Sequence, residues 1–159
     1  MLGFPRTVDE VSVRLVAGVV ALTALVALLT GWAWLAVPLA AGFLLRVAAG
    51  PRLSPLALLV TRVIRPRLPV RERPVPGPPK RFAQAIGATL TTATAVLLLA
   101  FDAPAGWWLL GAVVLAATLE SVFGLCLGCR VFAALMRLGV IPAAICEECT
   151  NLSLPRSPA

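Results

Sequence analysis

The chain has 159 residues, of which 60% are hydrophobic and only 13% are charged. Its mean hydropathy is +0.95. The charged share is well below that of a soluble domain, in which about a quarter of the residues carry charge. This composition excludes an ordinary soluble domain and indicates an integral membrane protein. In a membrane protein, the net charge of +7 indicates which loops stay in the cytosol and does not indicate a nucleic-acid-binding surface.

The first apolar segment, residues 13–29, is long enough to cross a membrane as a helix. A helix rises about 1.5 Å per residue, and the apolar core of a bilayer is about 30 Å thick. Asp9 and Glu10 stand where a signal peptide would carry positive charge, so we expect an uncleaved first span. Gly31 offers a turn, and residues 34–49 are expected to return as the second span.

The loop after the second span, residues 50–81, is basic and rich in proline. Ser54 and Pro55 predict the start of a short helix. This helix cannot cross and is expected to lie in the membrane interface. Residues 65–80 hold six of the fourteen prolines and predict an extended connector. The arginines of the loop either bind anionic lipids or serve only to set the topology.

Residues 82–101 and 107–125 predict the third and fourth spans. The two short turns between spans carry no basic residue and hold all four tryptophans, which prefer the headgroup level: Trp32, Trp34, Trp107 and Trp108. Positive charge stays on the cytosolic side, so both termini are expected in the cytosol. We therefore predict an all-α, polytopic helix bundle, with four transmembrane helices within residues 1–129 and an interfacial helix.

All four cysteines lie near the end of the chain, in two C-x-x-C pairs. Residues 130–145 are too short and too charged for a comfortable fifth crossing. We therefore expect residues 130–159 to form a short interfacial or re-entrant helix and a tail, with both cysteine pairs on the cytosolic side. A fifth crossing, which would separate the pairs across the membrane, is the alternative.

The cysteine pairs admit three interpretations. Their spacing fits a structural zinc site with Cys126, Cys129, Cys146 and Cys149 as ligands. They equally fit thiol redox or sulfur-transfer chemistry without a cofactor, since paired cytosolic cysteines are usually catalytic or metal-binding. There Cys126 or Cys129 would attack, activated by Arg130, and the second pair would resolve or accept sulfur. The third interpretation is four small buried side chains.

Two ionisable residues lie within predicted spans, near the cytosolic ends. Arg46 belongs to the second span and Glu120 to the fourth. Charged groups at that depth usually have partners, so we predict an ion pair between them. Snorkelling of Arg46 to the interface is the alternative.

Four strings of the sequence resemble one family: "VDEVSVRL", "LLRVAAGPRLSPLA", "PPKRFAQAIG" and "LESVFGLCLGC". Over roughly residues 7–132 the chain resembles the bacterial membrane proteins grouped as domain of unknown function 4395. The most specific string comprises Glu120, Phe123, Gly124, Cys126, Gly128 and Cys129.

The resemblance implies a small four-helix protein of the bacterial inner membrane. Such proteins often accompany thioredoxin-like and rhodanese-like proteins, which favours thiol or sulfur chemistry. We therefore expect a thiol redox or sulfur-relay protein that works with such a soluble partner. A membrane scaffold held by zinc is the alternative, and a small transporter lined by Arg46 and Glu120 is a weaker one.

Overall fold

The computed structural model describes residues 5–146, most of which are helical. The strands and helices are β1 (Thr7–Asp9), α1 (Glu10–Thr30), α2 (Ala36–Ala49), α3 (Pro55–Leu59), β2 (Pro74–Pro76), α4 (Gly77–Leu99), α5 (Ala105–Phe123) and α6 (Leu127–Arg137). Single helical turns of 3-10 or π geometry cover Ala33–Leu35, Gly50–Arg52, Val60–Ile64, Arg65–Arg67 and Ala143–Cys146. The prediction of a predominantly helical chain is confirmed.

Three of the helices, α1, α4 and α5, are long and apolar enough to cross a membrane. The second predicted span is shorter, because α2 has 14 residues and rises only about 21 Å. It gains one turn from Ala33–Leu35, which directly precedes it. Length and composition therefore support three spans outright, and α2 is the short member of the bundle.

The bundle is built on close contacts between small side chains. Helix α1 packs along α5, α2 packs along α4, and α4 also contacts α5. Where α1 meets α5, Ala24 and Leu110 are fully buried, and a Cβ on Gly18 would lie 2.9 Å from the Ser121 hydroxyl. In a bilayer the hydrophobic effect does not drive helices together, so association depends on close packing, which small residues permit. Short turns join α1 to α2 and α4 to α5, so α1 and α4 begin at the end of the bundle where α2 and α5 finish. We call this end the polar end.

The proline-rich connector is less extended than predicted. Helical turns continue from α3 to Arg67, and only β2 pairs, antiparallel, with β1 near the N-terminus. Helix α4 begins at Gly77, several residues before the predicted start, because prolines at its first positions suit a helix start. A side chain at Gly77 would collide with the carbonyl oxygen of Pro5, so glycine allows the two segments to meet.

Asp9 joins the connector to the bundle. Its carboxylate caps α1 by accepting from the Ser12 N–H at 3.2 Å and pairs with Arg65 Nε at 2.6 Å. It also accepts from the Arg73 N–H at 3.1 Å. Burial raises the pKa of Asp9, but the hydrogen bonds from Arg65, Arg73 and Ser12 outweigh burial and lower the pKa below its usual value. The acidic residue before the first span thus holds the connector over the polar end.

A short turn at Gly124 ends α5 and leads directly into α6. Helix α5 stops at Phe123, Gly124 takes the left-handed conformation with φ 69°, and α6 begins with Cys126 as its N-cap. Arg14 donates to the carbonyl oxygens of Ser121 and Val122 at 3.1 and 2.8 Å, which satisfies the last turn of α5. Helix α6 has 11 residues, so it rises about 16 Å and is too short to cross a bilayer by itself.

Candidate functional site

Cys126 and Cys129 sit at the N-terminus of α6, not on a continuation of the fourth span. Cys126 occupies the N-cap in an extended conformation, and its Sγ accepts from the Cys129 N–H at 3.3 Å. The thiol of Cys129 also hydrogen-bonds to Cys126. Both are free thiols; Cys126 is buried and Cys129 is half-buried. A helix N-terminus is an environment that stabilises a thiolate.

The two thiols differ in acidity. The pKa of Cys126 is lowered first by the hydrogen bond from the Cys129 thiol. Burial and the charge of Glu120 oppose this effect, whereas the charge of Lys80 and the Cys129 N–H lower the pKa further. The same thiol hydrogen bond, together with burial and the negative charge on Cys126, raises the pKa of Cys129. Cys126 is therefore the more acidic thiol of the pair, and Cys129 the less acidic one.

Glu120 pairs with Lys80, so the predicted ion pair between Arg46 and Glu120 is wrong. The Lys80 Nζ lies 2.6 Å from the Glu120 Oε1, and the side chains are 10% and 16% exposed. The prediction failed because α4 starts early enough to carry Lys80 on its first turn, opposite the end of α5. The sequence had placed Lys80 in the preceding loop. Glu120 attracts Arg46 only through space.

Arg46 is buried without a carboxylate in contact. It is 5% exposed, its Nε donates to the Gln84 Oε1 at 2.9 Å, and its guanidinium lies 4.5 Å from the centre of the Phe43 ring. Its Nη1 is buried and has no hydrogen-bond partner among residues 5–146. Snorkelling does not describe this side chain, because a snorkelling guanidinium reaches water.

The remaining predicted site residues are Arg130, Cys146 and Cys149. Arg130 is exposed on α6. Cys146 is fully buried in the last described turn and is disulfide-bonded. Cys149 falls outside the described residues. Within residues 5–146, no three histidine, cysteine or acidic residues are grouped to hold a metal ion. The four-cysteine zinc site needs Cys149 and stays a prediction.

A cavity of about 560 Å³ lies between α1, α2, α4 and α5, and the Cys126 side chain lines it. Most of its wall is apolar. Its charged and polar groups come from all four helices and meet near the polar end of the bundle. They include Ser12, Arg46, Lys80, Gln84 and Glu120. Cys126 therefore faces a largely apolar space.

Sequence reasoning missed Lys80 and Gln84. They are the only lysine and the only glutamine of the chain, and they lie one turn apart on α4. Both belong to the string "PPKRFAQAIG", which the family resemblance had already marked. The sequence could have indicated both residues, because each is the only one of its type in the chain and both lie at the start of an apolar helix.

The apolar bundle and the thiol pair at its polar end define a class: a helical membrane protein with a partly buried pair of free thiols. The chain belongs to the family described as domain of unknown function (DUF4395), whose model matches residues 8–137. The match runs from β1 to the end of α6 and includes the first thiol pair, so the resemblance noted in the sequence is confirmed. No curated protein and no solved structure matches the chain.

Proposed function

We propose that the protein is a thiol redox or sulfur-relay protein of the bacterial inner membrane, with the Cys126–Cys129 pair as its reactive centre. One observation carries this proposal. The Cys126 Sγ lies at the N-terminus of α6, hydrogen-bonded by the backbone and the thiol of Cys129. Such an arrangement provides an attacking thiolate and, one turn away, a second thiol that completes the exchange.

The topology within this proposal has four spans, with α2 as the short second one and both termini in the cytosol. The alternating directions of α1, α2, α4 and α5 support it, as do the short turns that carry the tryptophans. The basic connector lies at the polar end, where positive charge is retained on the cytosolic side. The thiol pair would then lie at the cytosolic end of the bundle.

The proposed chemistry is thiol–disulfide exchange. The Cys126 thiolate attacks one sulfur of an oxidised partner, forms a mixed disulfide and releases the partner's other sulfur as a thiolate. Cys129, after losing its proton to solvent or to the released thiolate, attacks the Cys126 sulfur. This second step forms the Cys126–Cys129 disulfide and releases the partner's first sulfur. The partner disulfide gains two electrons, and the pair loses two.

The two cysteines face different surroundings, which suits a relay. Cys126 is 8% exposed and lines the cavity, whereas Cys129 is more accessible. Small sulfur compounds could thus approach Cys126 through the cavity, and a soluble thioredoxin-like or rhodanese-like protein would meet the pair at Cys129. Of the two roles predicted for the second cysteine pair, the proposal keeps the accepting one, because Cys129 resolves the mixed disulfide and Cys146 is disulfide-bonded. No bound cofactor is required.

A small aromatic disulfide tests the proposal. We expect the full chain with Cys146→Ser and Cys149→Ser to release two equivalents of thionitrobenzoate from dithiobis(nitrobenzoate), one for each step of the exchange. The further change Cys129→Ser should stop the reaction after the first release and leave a stable adduct on Cys126. Absorbance gives the stoichiometry, and intact mass gives the adduct.

The Cys126→Ser variant in the same background is the matched control. It retains Cys129, whose pKa is still raised by burial and which lacks the N-cap position that gives Cys126 a backbone N–H, so it should react more slowly at neutral pH. Equal rates for the two single-cysteine variants would contradict the assignment of Cys126 as the attacking thiolate. One tightly held zinc ion per wild-type chain, lost only on unfolding, would favour the scaffold instead.

A further inference from the structure

The Arg46 guanidinium lines the cavity, is buried, and has one nitrogen without a hydrogen-bond acceptor in the described segment. The Nη1 of Arg46 has no hydrogen-bond partner in the described part of the chain. The two carboxylates that line the cavity are already engaged, Asp9 by Arg65 and Glu120 by Lys80, each at 2.6 Å. A buried donor without an acceptor costs free energy, and the cost is larger for a charged group. This cation therefore calls for an acceptor from outside the described residues.

The cavity changes from polar to apolar along the bundle. Each of the four helices contributes a polar or charged group at one end: Ser12, Arg46, Lys80 and Glu120. Further from the polar end, the same helices contribute apolar side chains: Val20, Phe43, Leu90 and Val113. The gradient follows from the helix directions, because α1 and α4 begin where α2 and α5 finish. A charged head and a hydrocarbon chain would find matching surroundings in this order.

We infer that this cavity binds a single amphiphile with an oxyanion head, a phosphate or a carboxylate, paired with Arg46. A guanidinium can donate two parallel hydrogen bonds to such a head, and Nη1 is the donor left over. A volume of about 560 Å³ falls within the range of about 300–1,000 Å³ of small-molecule sites. It accommodates one hydrocarbon chain and not both chains of a bilayer phospholipid. The inference stands independently of the thiol chemistry, although the bound head would lie near Cys126.

Native mass spectrometry of the full chain tests the inference. The protein is purified in a non-ionic detergent, stripped of lipid and titrated with hexadecyl phosphate. We expect one molecule to bind per chain. The Arg46→Gln variant should bind about ten-fold or more weakly, because it loses a charge-assisted hydrogen bond. The matched control is Arg62→Gln, which removes the same charge from an exposed residue that does not line the cavity. Its affinity should be unchanged.

Two further probes separate the head from the chain. Hexadecanol keeps the chain without the charge, and inorganic phosphate keeps the charge without the chain. Binding of hexadecanol as tight as that of hexadecyl phosphate would overturn the role of Arg46. Displacement of hexadecyl phosphate by inorganic phosphate at a similar concentration would show a site for the free anion and overturn the amphiphile. If Arg46→Gln and Arg62→Gln lowered the affinity for hexadecyl phosphate equally, general charge attraction would explain the effect and the inference would be overturned.

A second variant keeps the test decisive if Arg46→Gln does not fold. Ala116→Phe leaves Arg46 in place and fills the apolar part of the cavity. It should also weaken hexadecyl phosphate binding about ten-fold or more, because the chain loses its buried surface. Val96→Phe is the control: Val96 is 46% exposed and does not line the cavity, so this variant should bind like wild type. Unchanged binding by the Ala116→Phe variant would overturn the placement of the chain.

Discussion

At the residue scale, the charge that acts on the thiol pair comes from a spatial neighbour and not from the adjacent residue. Arg130 follows Cys129 in the sequence and was the predicted activator, but its side chain is exposed on α6. Lys80, at the start of α4, is the cation whose charge lowers the pKa of Cys126. Adjacency in sequence does not identify the cation nearest a thiol at a helix start, because consecutive side chains on a helix point in different directions.

The Lys80→Gln variant should raise the pKa of Cys126. The substitution removes a charge that lowers this pKa and leaves Glu120, which raises it, without its partner. Both changes act in the same direction. In the Cys129→Ser, Cys146→Ser, Cys149→Ser background, the midpoint of the alkylation rate against pH should therefore move to higher pH.

Arg130→Gln in that background is the matched control, and its alkylation profile should stay close to that of the parent. If Arg130→Gln shifted the midpoint upward and Lys80→Gln left it in place, the activator would be Arg130, as the sequence first suggested. Thermal unfolding of both variants shows whether the fold is retained, because Lys80→Gln also breaks a largely buried ion pair.

At the element scale, the apolar helices could be predicted and the contacts between distant segments could not. The cores of α1, α4 and α5 match the predicted spans, because continuous apolar runs dictate a membrane helix. The strand pair between Thr7–Asp9 and Pro74–Pro76 left no local signal, since it joins segments far apart in sequence. Cys126 as an N-cap was also missed, although Gly124 two residues earlier is a typical helix terminator.

Helix α6 can hold the thiol pair in place because Gly128 lies against α4. A Cβ at Gly128 would lie 2.5 Å from the Cβ of Ala83, so α6 must move if Gly128 becomes alanine. We expect Gly128→Ala to destabilise the protein by about 1–3 kcal/mol, the usual cost of overpacking. We also expect faster alkylation of Cys126, because the displaced helix would expose its thiol. Thermal unfolding and alkylation rates measure the two effects.

Gly111→Ala is the matched control for that substitution. It lies within α5, and nothing lies within 4 Å of the added Cβ. The change should be neutral or slightly stabilising, since alanine is the better helix former. Wild-type stability and thiol reactivity in the Gly128→Ala variant would show that the α4–α6 contact does not position the pair.

At the scale of the whole molecule, the composition and the order of spans indicate the class of protein, but the cavity emerges only from packing. Its wall takes residues from β1 and from all six helices, α1 to α6, and no sequence pattern states which faces of those helices meet. Arg46 shows the consequence: its place within a span was visible in the sequence, whereas its contacts with Phe43 and Gln84 depend on how α2 lies on α4. The same packing turned Glu120 toward Lys80.

The proposed four-span topology depends on whether the short helix α2 crosses the membrane. With α2 as a span, the turn before it and the turn before α5 lie on the non-cytosolic side of the membrane, and the basic connector lies in the cytosol. In a cysteine-free chain, Ala33→Cys and Ala105→Cys should react with a membrane-impermeant thiol reagent in intact cells. Val70→Cys, at an exposed connector position, should react only after the cells are permeabilised. Labelling of Val70→Cys and Ala33→Cys from the same side would show that α2 does not cross, and the thiol pair would need a different compartment.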